Sequence, residues 1–285
     1  MHVTGDDAAS YLHGQFSNQL KRQGEHPVVY GFWLSLKGKV DADSYVLKQA
    51  ENDYLLISFG CSEEALLNKL SKNIIADDVT LQGVADRYRA WVFWGNDLDA
   101  YASANALRYP PKAEGSRVND GWLFESKLLR SRNLVWIMPK NASVSLTADA
   151  IHTPIEIARI AESVPFVPQD IGPEDLPQEG GLDAVGVSVQ KGCYLGQVVM
   201  MRIHSMGNVK RGLFSVRLTG PIPPLPSDLY LGEKNVGALR SVATVDGVQQ
   251  GIALLKKHAV EKGVVLSLSP GKDANVIVLN SVDPI

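Results

Sequence analysis

The residues best suited to chemistry lie in one short stretch, in which Cys193 follows Lys191 and Gly192 and precedes Gly196. Glycine weakens helices and strands, so such a stretch favours a backbone turn or the close approach of a ligand. In an extended backbone the side chains of Lys191 and Cys193 would point to the same side, and a nearby ammonium favours the thiolate. The pattern predicts a reactive cysteine. The alternative is a small buried hydrophobic side chain, the most common state of a free cysteine.

Polar residues extend this candidate site. Tyr194 and Gln197 carry groups that can hydrogen-bond a ligand or, equally, the protein backbone. Farther along the chain, Arg202, Lys210 and Arg211 add positive charge. These cations would either form a solvated strand face or together meet an anionic ligand or an RNA phosphate.

A run of acids precedes the cysteine, with five carboxylates between Asp170 and Asp183 in a segment rich in glycine and proline. As a charge run it favours a solvated loop, but one carboxylate could also face the same cavity as Cys193. There it would suit a pterin, because two adjacent N–H donors pair with a carboxylate in a bidentate geometry. Nearer the N-terminus, Asp41 and Asp43 have the spacing of one strand face. We interpret this pair as part of an exposed hairpin arm.

Composition limits the class of protein. The net charge of −3 argues against direct nucleic-acid binding. No apolar run approaches the roughly 20 residues of a membrane span, and no secretory signal is predicted at the N-terminus. Two cysteines form no disulfide framework and fit a reducing compartment, so we expect a cytoplasmic protein. The six histidines show no metal-ligand spacing, and no intrinsic metal site is predicted.

The order of the predicted elements is typical of an α+β fold. Apolar and alternating segments predict strands near 32–36, 43–47, 54–58, 79–81, 88–94, 122–125 and 134–138. Helices are expected to begin near Asp6, which could cap the first one, and near Ser62, with another over about 153–162. The segment 109–121 has the composition of a loop. Prolines at 221–226 separate these elements from short strands near 236–244, 251–255, 264–268 and 275–279, which predict a small antiparallel barrel or sandwich.

One seven-residue stretch resembles a known signature. The sequence K-G-C-Y-L-G-Q at 191–197 is similar to the KGCYxGQ(E) signature of the YgfZ family, folate-binding proteins related to the aminomethyltransferase (T-protein) of the glycine cleavage system. Other segments resemble the same family, namely G-D-D-A at 5–8, L-K-G-K-V at 36–40, L-P-Q-E at 176–179 and G-I-A-L-L at 251–255. The resemblance spans nearly the whole chain.

The resemblance implies both a fold and a role. The fold is a folate-binding region of two interleaved α+β domains around a central opening, expected over 1–205, followed by a β-barrel domain over 206–285. The role is support of iron–sulfur cluster assembly or repair, which affects iron–sulfur-dependent tRNA modification. The implied ligand is tetrahydrofolate or a one-carbon derivative, and the implied partners are iron–sulfur enzymes or assembly factors. Carried over by position, Cys193 and Lys191 would be the functional residues, and the expected folate contacts are Asp170, Glu179, Tyr194, Gly196, Gln197 and Arg202.

Two departures from the family pattern matter. Val198 stands where the signature ends in glutamate, and Ala42-Asp43 replaces the adjacent acids of aminomethyltransferases. The second departure favours an accessory factor over an enzyme. The alternative is a tetrahydrofolate-dependent aminomethyltransferase or methyltransferase, in which Asp43 or Asp41 would orient the folate. A pure RNA-binding module that uses the basic stretch 202–217 is the third hypothesis.

Overall fold

The computed structural model describes residues 1–22, 24–95, 98, 102–103, 109–142 and 154–285. Its first sheet has five antiparallel strands in the order β2-β3-β4-β1-β5. Their bounds are β1 His2–Thr4, β2 Val28–Leu34, β3 Val40–Ala50, β4 Asp53–Ile57 and β5 Thr80–Gln82. Alternation along β2 and β3 places Val29, Trp33 and Val46 on one face. Helices α1 (Ala8–Gln15) and α2 (Glu63–Ser71) cover that face.

The second sheet packs on the opposite face of the first. Its four antiparallel strands follow the order β6-β9-β8-β7, with bounds β6 Tyr88–Trp94, β7 Ser116–Val118, β8 Gly121–Glu125 and β9 Asn133–Pro139. Trp122 and Phe124 of this sheet meet Tyr45 and Leu47 of β3 in a common core. Tyr30 and Asp43 lie on the same face as Tyr45, and this arrangement places both near the junction of the two sheets.

The C-terminal strands form a small antiparallel barrel, as predicted. Six strands follow the order β11-β12-β13-β10-β15-β14, with bounds β10 Arg211–Leu218, β11 Ser227–Leu231, β12 Lys234–Val245, β13 Val248–Lys256, β14 Val265–Leu266 and β15 Val276–Ser281. The two edges meet where the backbones of Tyr230 and Ser267 exchange hydrogen bonds of 2.9 and 3.0 Å. Because the edges are paired, the barrel interior holds a separate apolar core.

The segment before the barrel returns to the first sheet. It contains the helices α3 Ile155–Ala161, α4 Asp183–Gly186 and α5 Gln197–Met206. The hydroxyl of Ser17 donates to the carbonyl of Gly186 at 2.6 Å, and α3 packs against β12. Phe32, Leu182 and Ile252 belong to one core, which therefore joins the first sheet, the returning segment and the barrel. None of the described helices is long and apolar enough to cross a membrane.

Most predicted elements are confirmed, and the differences have physical reasons. Helix α5 was interpreted as a strand face, although Gly196 and Gly207 bound apolar residues with helical spacing. Strands β1, β7 and β11 were not predicted, because β1 has only three residues, β7 lies in a segment of loop composition and β11 follows the prolines. The capping prediction is wrong, since Asp7 occupies the N-cap of α1 and makes no side-chain capping bond. Residue 153, the expected start of the third helix, lies outside the described residues.

Candidate functional site

The buried ammonium of Lys191 anchors the signature loop, residues 191–197, to helix α1. Its Nζ donates to the carbonyls of His13 and Phe16 at 2.5 and 2.6 Å, and it lies 4.8 Å from the centre of the Tyr194 ring. Cations stabilise the carbonyl end of a helix, where backbone acceptors lack partners. Burial lowers the pKa of Lys191 to about 8. The side chain therefore holds the loop in place from the inside.

Gly196 fits the loop under the turn between β2 and β3. It has a φ of +85°, and a Cβ at this position would lie 2.7 Å from the carbonyl oxygen of Ser35. A Cβ at Gly38 of the turn would in the same way meet Val199 and Met200 of α5. Both glycines are required by close approach, so the turn and the start of α5 form one unit.

Cys193 is exposed on this unit, whereas Lys191 is 5% exposed. The expectation that the two side chains point to the same side is therefore wrong, because the loop is not extended. The amide of Gln197 donates to the carbonyls of Lys191 and Gly192 at 3.3 and 3.5 Å and closes the loop. The buried and half-buried side chains of the signature thus frame a single exposed thiol.

The acid Asp170 lies inside the protein. It is fully buried, and its carboxylate accepts from the Arg159 guanidinium at 2.7 Å, from the Phe166 backbone at 2.9 Å and from the hydroxyl of Ser241. Burial raises the pKa of Asp170, and the Arg159 guanidinium with these hydrogen bonds opposes the shift. Since Ser241 lies on β12, Asp170 connects helix α3 to the barrel.

Two further acids of the same loop form a second connection. Glu179 receives the guanidinium of Arg211 at 2.7 and 2.8 Å, and Asp175 receives Arg211 at 3.0 Å and Arg240 at 3.3 Å. Both arginines belong to barrel strands, and both acids are buried. The interpretation of this run as a solvated loop is therefore wrong for Asp170, Asp175 and Glu179, which join the loop to the barrel.

A second polar cluster surrounds Asp43 at the junction of the first two sheets. The Asp43 carboxyl accepts from the Tyr30 hydroxyl at 2.9 Å, and the Ser58 hydroxyl donates to the Asp43 carbonyl at 2.7 Å. Burial raises the pKa of Asp43 to about 7, and the hydrogen bonds from Tyr30 and Ser58 only partly oppose it. Burial and then the charge of Asp43 raise the pKa of Cys61. The interpretation of this pair as part of an exposed hairpin arm is therefore wrong for Asp43. Asp41 is partly exposed, and its carboxylate pairs with Lys69 at 2.5 Å.

A cavity of about 210 Å³ opens beside this cluster. Ser58 and Cys61 connect the cavity to Asp43, and Phe59, Tyr88 and Arg89 line it between the two sheets. Among the described residues, the buried Nε of Arg89 has no hydrogen-bond partner, while its Nη2 donates to the carbonyl of Ala142 at 2.6 Å. The cavity thus combines aromatic rings, a guanidinium and, next to it, a carboxyl that titrates near neutral pH.

The predicted site residues fall into separate places. Lys191, Cys193, Tyr194, Gly196 and Gln197 lie together in the signature loop, and Arg202 is exposed one helical turn farther on. Asp170 and Glu179 lie in the two connections to the barrel. None of these eight lines the cavity beside Asp43. Asp43 was considered only as a residue that would orient the folate in the alternative enzyme, and its cluster with Tyr30 and Ser58 was not predicted. The available signal was the hydroxyl-bearing Tyr30 in the otherwise apolar strand β2.

Similarity to known proteins covers most of the chain. Residues 1–99 match the family model of the GCVT N-terminal domain. The chain is 23% identical to the tRNA-modifying protein YgfZ of Aliivibrio fischeri over 94% of its own length and 80% of the relative. It is 26% identical to the protein of the same name from Vibrio vulnificus over 82% and 72% of the two chains. The resemblance to the YgfZ family is confirmed.

Two further similarities fit this YgfZ resemblance. The chain is 24% identical to the mitochondrial iron–sulfur cluster assembly factor IBA57 homolog of Cryptococcus neoformans, over 76% of this chain and 64% of that protein. The crystal structure of the glycine cleavage system aminomethyltransferase T from Bartonella henselae superposes with a TM-score of 0.78. That match covers 98% of this chain and 82% of the other at 14% identity. The predicted aminomethyltransferase-like α+β fold is therefore confirmed.

Proposed function

We propose that this chain is a tetrahydrofolate-binding accessory protein for iron–sulfur cluster assembly or repair, with Cys193 as its functional thiol. Its action would affect iron–sulfur-dependent tRNA modification, and its partners would be iron–sulfur enzymes or assembly factors. A cytoplasmic location would keep both cysteines reduced. The observation that carries the proposal is the exposed thiol of Cys193 in a loop whose other signature residues serve to hold it.

The names of similar proteins support this role. Two YgfZ proteins are described as tRNA-modifying, and the fungal relative is described as an iron–sulfur cluster assembly factor. Among the described residues, no group of three or more histidine, cysteine and acidic side chains could hold a metal ion. Because clusters are typically held by four ligands, Cys193 would supply one ligand to a cluster that another protein shares.

The residues near Asp43 are chemically suited to a folate. The protonated carboxyl of Asp43 can both donate and accept, which matches the mixed donors and acceptors of a pterin edge. Phe59 and Tyr88 offer apolar ring surfaces, and Arg89 offers a cation for a carboxylate. The cavity of about 210 Å³ is smaller than the sites of about 300–1,000 Å³ that enclose most small ligands, so it would admit part of a folate.

A titration with tetrahydrofolate tests the ligand, and a cellular assay tests the thiol. We expect wild type and Cys193→Ser to bind tetrahydrofolate equally, because the thiol lies outside the cavity. In cells that lack their own YgfZ protein, Cys193→Ser should fail to restore iron–sulfur-dependent tRNA modification, while Cys61→Ser restores it. If tetrahydrofolate binds to none of wild type, Val198→Glu and Cys193→Ser, the folate part of the proposal is wrong. Full restoration by Cys193→Ser would remove the thiol.

One observation favours a second candidate function, tetrahydrofolate-dependent aminomethyl or methyl transfer. Asp43 is a carboxyl with a pKa near neutrality at a cavity in an aminomethyltransferase-like fold, as a general acid or base would require. In that case Cys193 would be dispensable. Transfer activity with a folate substrate that survives Cys193→Ala and is lost in Asp43→Asn would establish this function in place of the first.

A further inference from the structure

Two exposed apolar side chains lie on the elements that pack together at the signature loop. Leu36 at the turn after β2 is 79% exposed, and Val198 in the first turn of α5 is 85% exposed. Lys37, Cys193 and Arg202 are exposed beside them. We call Leu36, Lys37, Cys193, Val198 and Arg202 the signature face. Exposed apolar side chains that lie together on a protein surface are typical of an interaction site.

Close backbone packing fixes the parts of this face relative to one another. The turn that carries Leu36 touches the start of α5 through Gly38 and Gly196, where neither position has room for a Cβ. Val198 and Arg202 are four residues apart in α5 and therefore lie on one side of the helix. Val199, Met200 and Ile203 occupy the other side and enter the core. The turn and α5 therefore pack directly against each other, and the face lies on one packed unit.

The face is positively charged as well as apolar. The sequence contains no aspartate or glutamate from 184 to 227 and none from 36 to 40, in a chain whose net charge is −3. Lys37 and Arg202 are exposed, whereas Lys191 and Arg211 are engaged inside the protein. Two acids lie near the turn: Glu174 is exposed and its backbone carbonyl accepts from Lys39 at 2.9 Å, and Asp41 is partly exposed and pairs with Lys69 at 2.5 Å. Charge complementarity therefore calls for an acidic partner.

We propose that the signature face docks an acidic surface of another protein, which brings an apolar side chain against Leu36 and Val198 and its own cluster ligands next to Cys193. This inference rests on the proposed function, because it supplies the partner that Cys193 would serve. RNA fits less well, since the face has aliphatic side chains and no aromatic ring on which a base would stack. A second copy of the chain fits less well, because a symmetric contact would place cation against cation.

Val198 gives the proposal its specificity. It stands where the YgfZ signature has glutamate, and the structure places this position in solvent on the signature face. A carboxylate at this position would repel an acidic partner and remove apolar contact area. Valine carries no charge and provides apolar contact area. The face of this chain is therefore matched to a partner that a protein with the signature glutamate would bind less tightly.

The test begins with cross-linking in cells. A photo-reactive phenylalanine analogue replaces Leu36 or, in a second variant, Val198, and a control variant carries it at Ile222, an exposed residue of the proline-rich barrel segment. We expect the first two variants to cross-link one protein through a segment that contains acids and an apolar residue, and the control to give no such product. The purified partner is then titrated. Val198→Glu and Arg202→Glu should each weaken binding by about tenfold, and the matched Arg217→Glu should leave it unchanged.

Several results would overturn the proposal. These are no cross-link at either position, a cross-link to RNA or to a second copy, or equal yield at Ile222. If Val198→Glu and Arg202→Glu bind the purified partner with unchanged affinity, the proposal is also overturned, even when cross-linking identifies a protein. The proposed function fails separately: if Cys193→Ser restores tRNA modification while Val198→Glu still loses the partner, docking stands and the functional thiol does not.

Discussion

Asp170 is fully buried and Asp43 is half-buried, and the two carboxyls have different partners. Asp170 accepts from an arginine, a hydroxyl and a backbone N–H, so a charge of opposite sign faces its carboxylate. Asp43 has a tyrosine and a serine as neighbours, and none of the described cations contacts it directly. Burial raises the pKa of both carboxyls. The comparison indicates that Asp170 serves as a fixed structural charge, while Asp43 can take up and release a proton near neutral pH.

The largest expected effect follows from removing the cation beside Asp170. Arg159→Met leaves a buried carboxylate without its guanidinium, and we expect the free energy of unfolding to fall by about 3–5 kcal/mol. Urea unfolding at neutral pH measures this change in the free energy of unfolding. Arg202→Met, at an exposed arginine, is the control and should change stability by less than about 0.5 kcal/mol. A loss below about 1 kcal/mol for Arg159→Met would instead mark Asp170 as available to a ligand.

The second effect concerns pH. The folded protein binds the Asp43 proton more tightly than the unfolded chain, whose carboxyl has a pKa near 3.8, so this group stabilises the fold at low pH. That contribution should be lost as pH rises from about 4 to about 7. The shift corresponds to at most about 4 kcal/mol, and we expect about 2 kcal/mol because the side chain is partly exposed.

Asp43→Asn isolates this contribution, since an amide keeps an acceptor for Tyr30 but does not titrate. The free energy of unfolding, measured at about pH 5 and about pH 8, should fall with pH more steeply in wild type than in Asp43→Asn. Identical profiles for wild type and Asp43→Asn would show that Asp43 behaves like an ordinary exposed acid.

The smallest effect is on the reactivity of the two thiols. Iodoacetamide should alkylate the exposed Cys193 at least about tenfold faster than Cys61 in the folded protein, as followed by peptide mass spectrometry. Asp43→Asn should increase the rate at Cys61 about two- to threefold, because it removes a nearby negative charge, and leave Cys193 unchanged. Equal rates at Cys61 and Cys193 in wild type would contradict the proposal of an accessible functional thiol.

The sequence was sufficient for most of the fold and for part of the site. Alternation and turn residues predicted the long strands and the barrel, because apolar periodicity reports directly which face is buried. The glycines around Cys193 indicated a candidate reactive site, but its exposure was left open, since a sequence does not show which side chains reach solvent. Helix α5 was not predicted because the segment was interpreted from its cationic residues as a strand face. The spacing of Val199, Met200 and Ile203, which is that of a buried helical face, indicates the helix.

The acidic residues show why the rest of the site could not be predicted from the sequence. Five carboxylates in a loop resemble a solvated surface, and nothing local shows that Arg211 and Arg240 arrive from strands more than 30 residues later in the chain. For Asp43, the information that the sequence does not give is how the strands pair. Its neighbours Tyr30 and Ser58 come from adjacent strands, so only the register of β2, β3 and β4 brings the three together.

The core that contains Phe32, Leu182 and Ile252 limits how the gene for this protein can be divided. The boundary expected at 205/206 separates two stretches of sequence, but the apolar side chains on either side pack against each other. A shortened product that ends at 205 would present that surface to water and leave Asp170 without the Ser241 hydroxyl. We expect such a fragment to aggregate, whereas co-expression with 206–285 should recover folded material. The barrel and the region before it would therefore be kept or lost together.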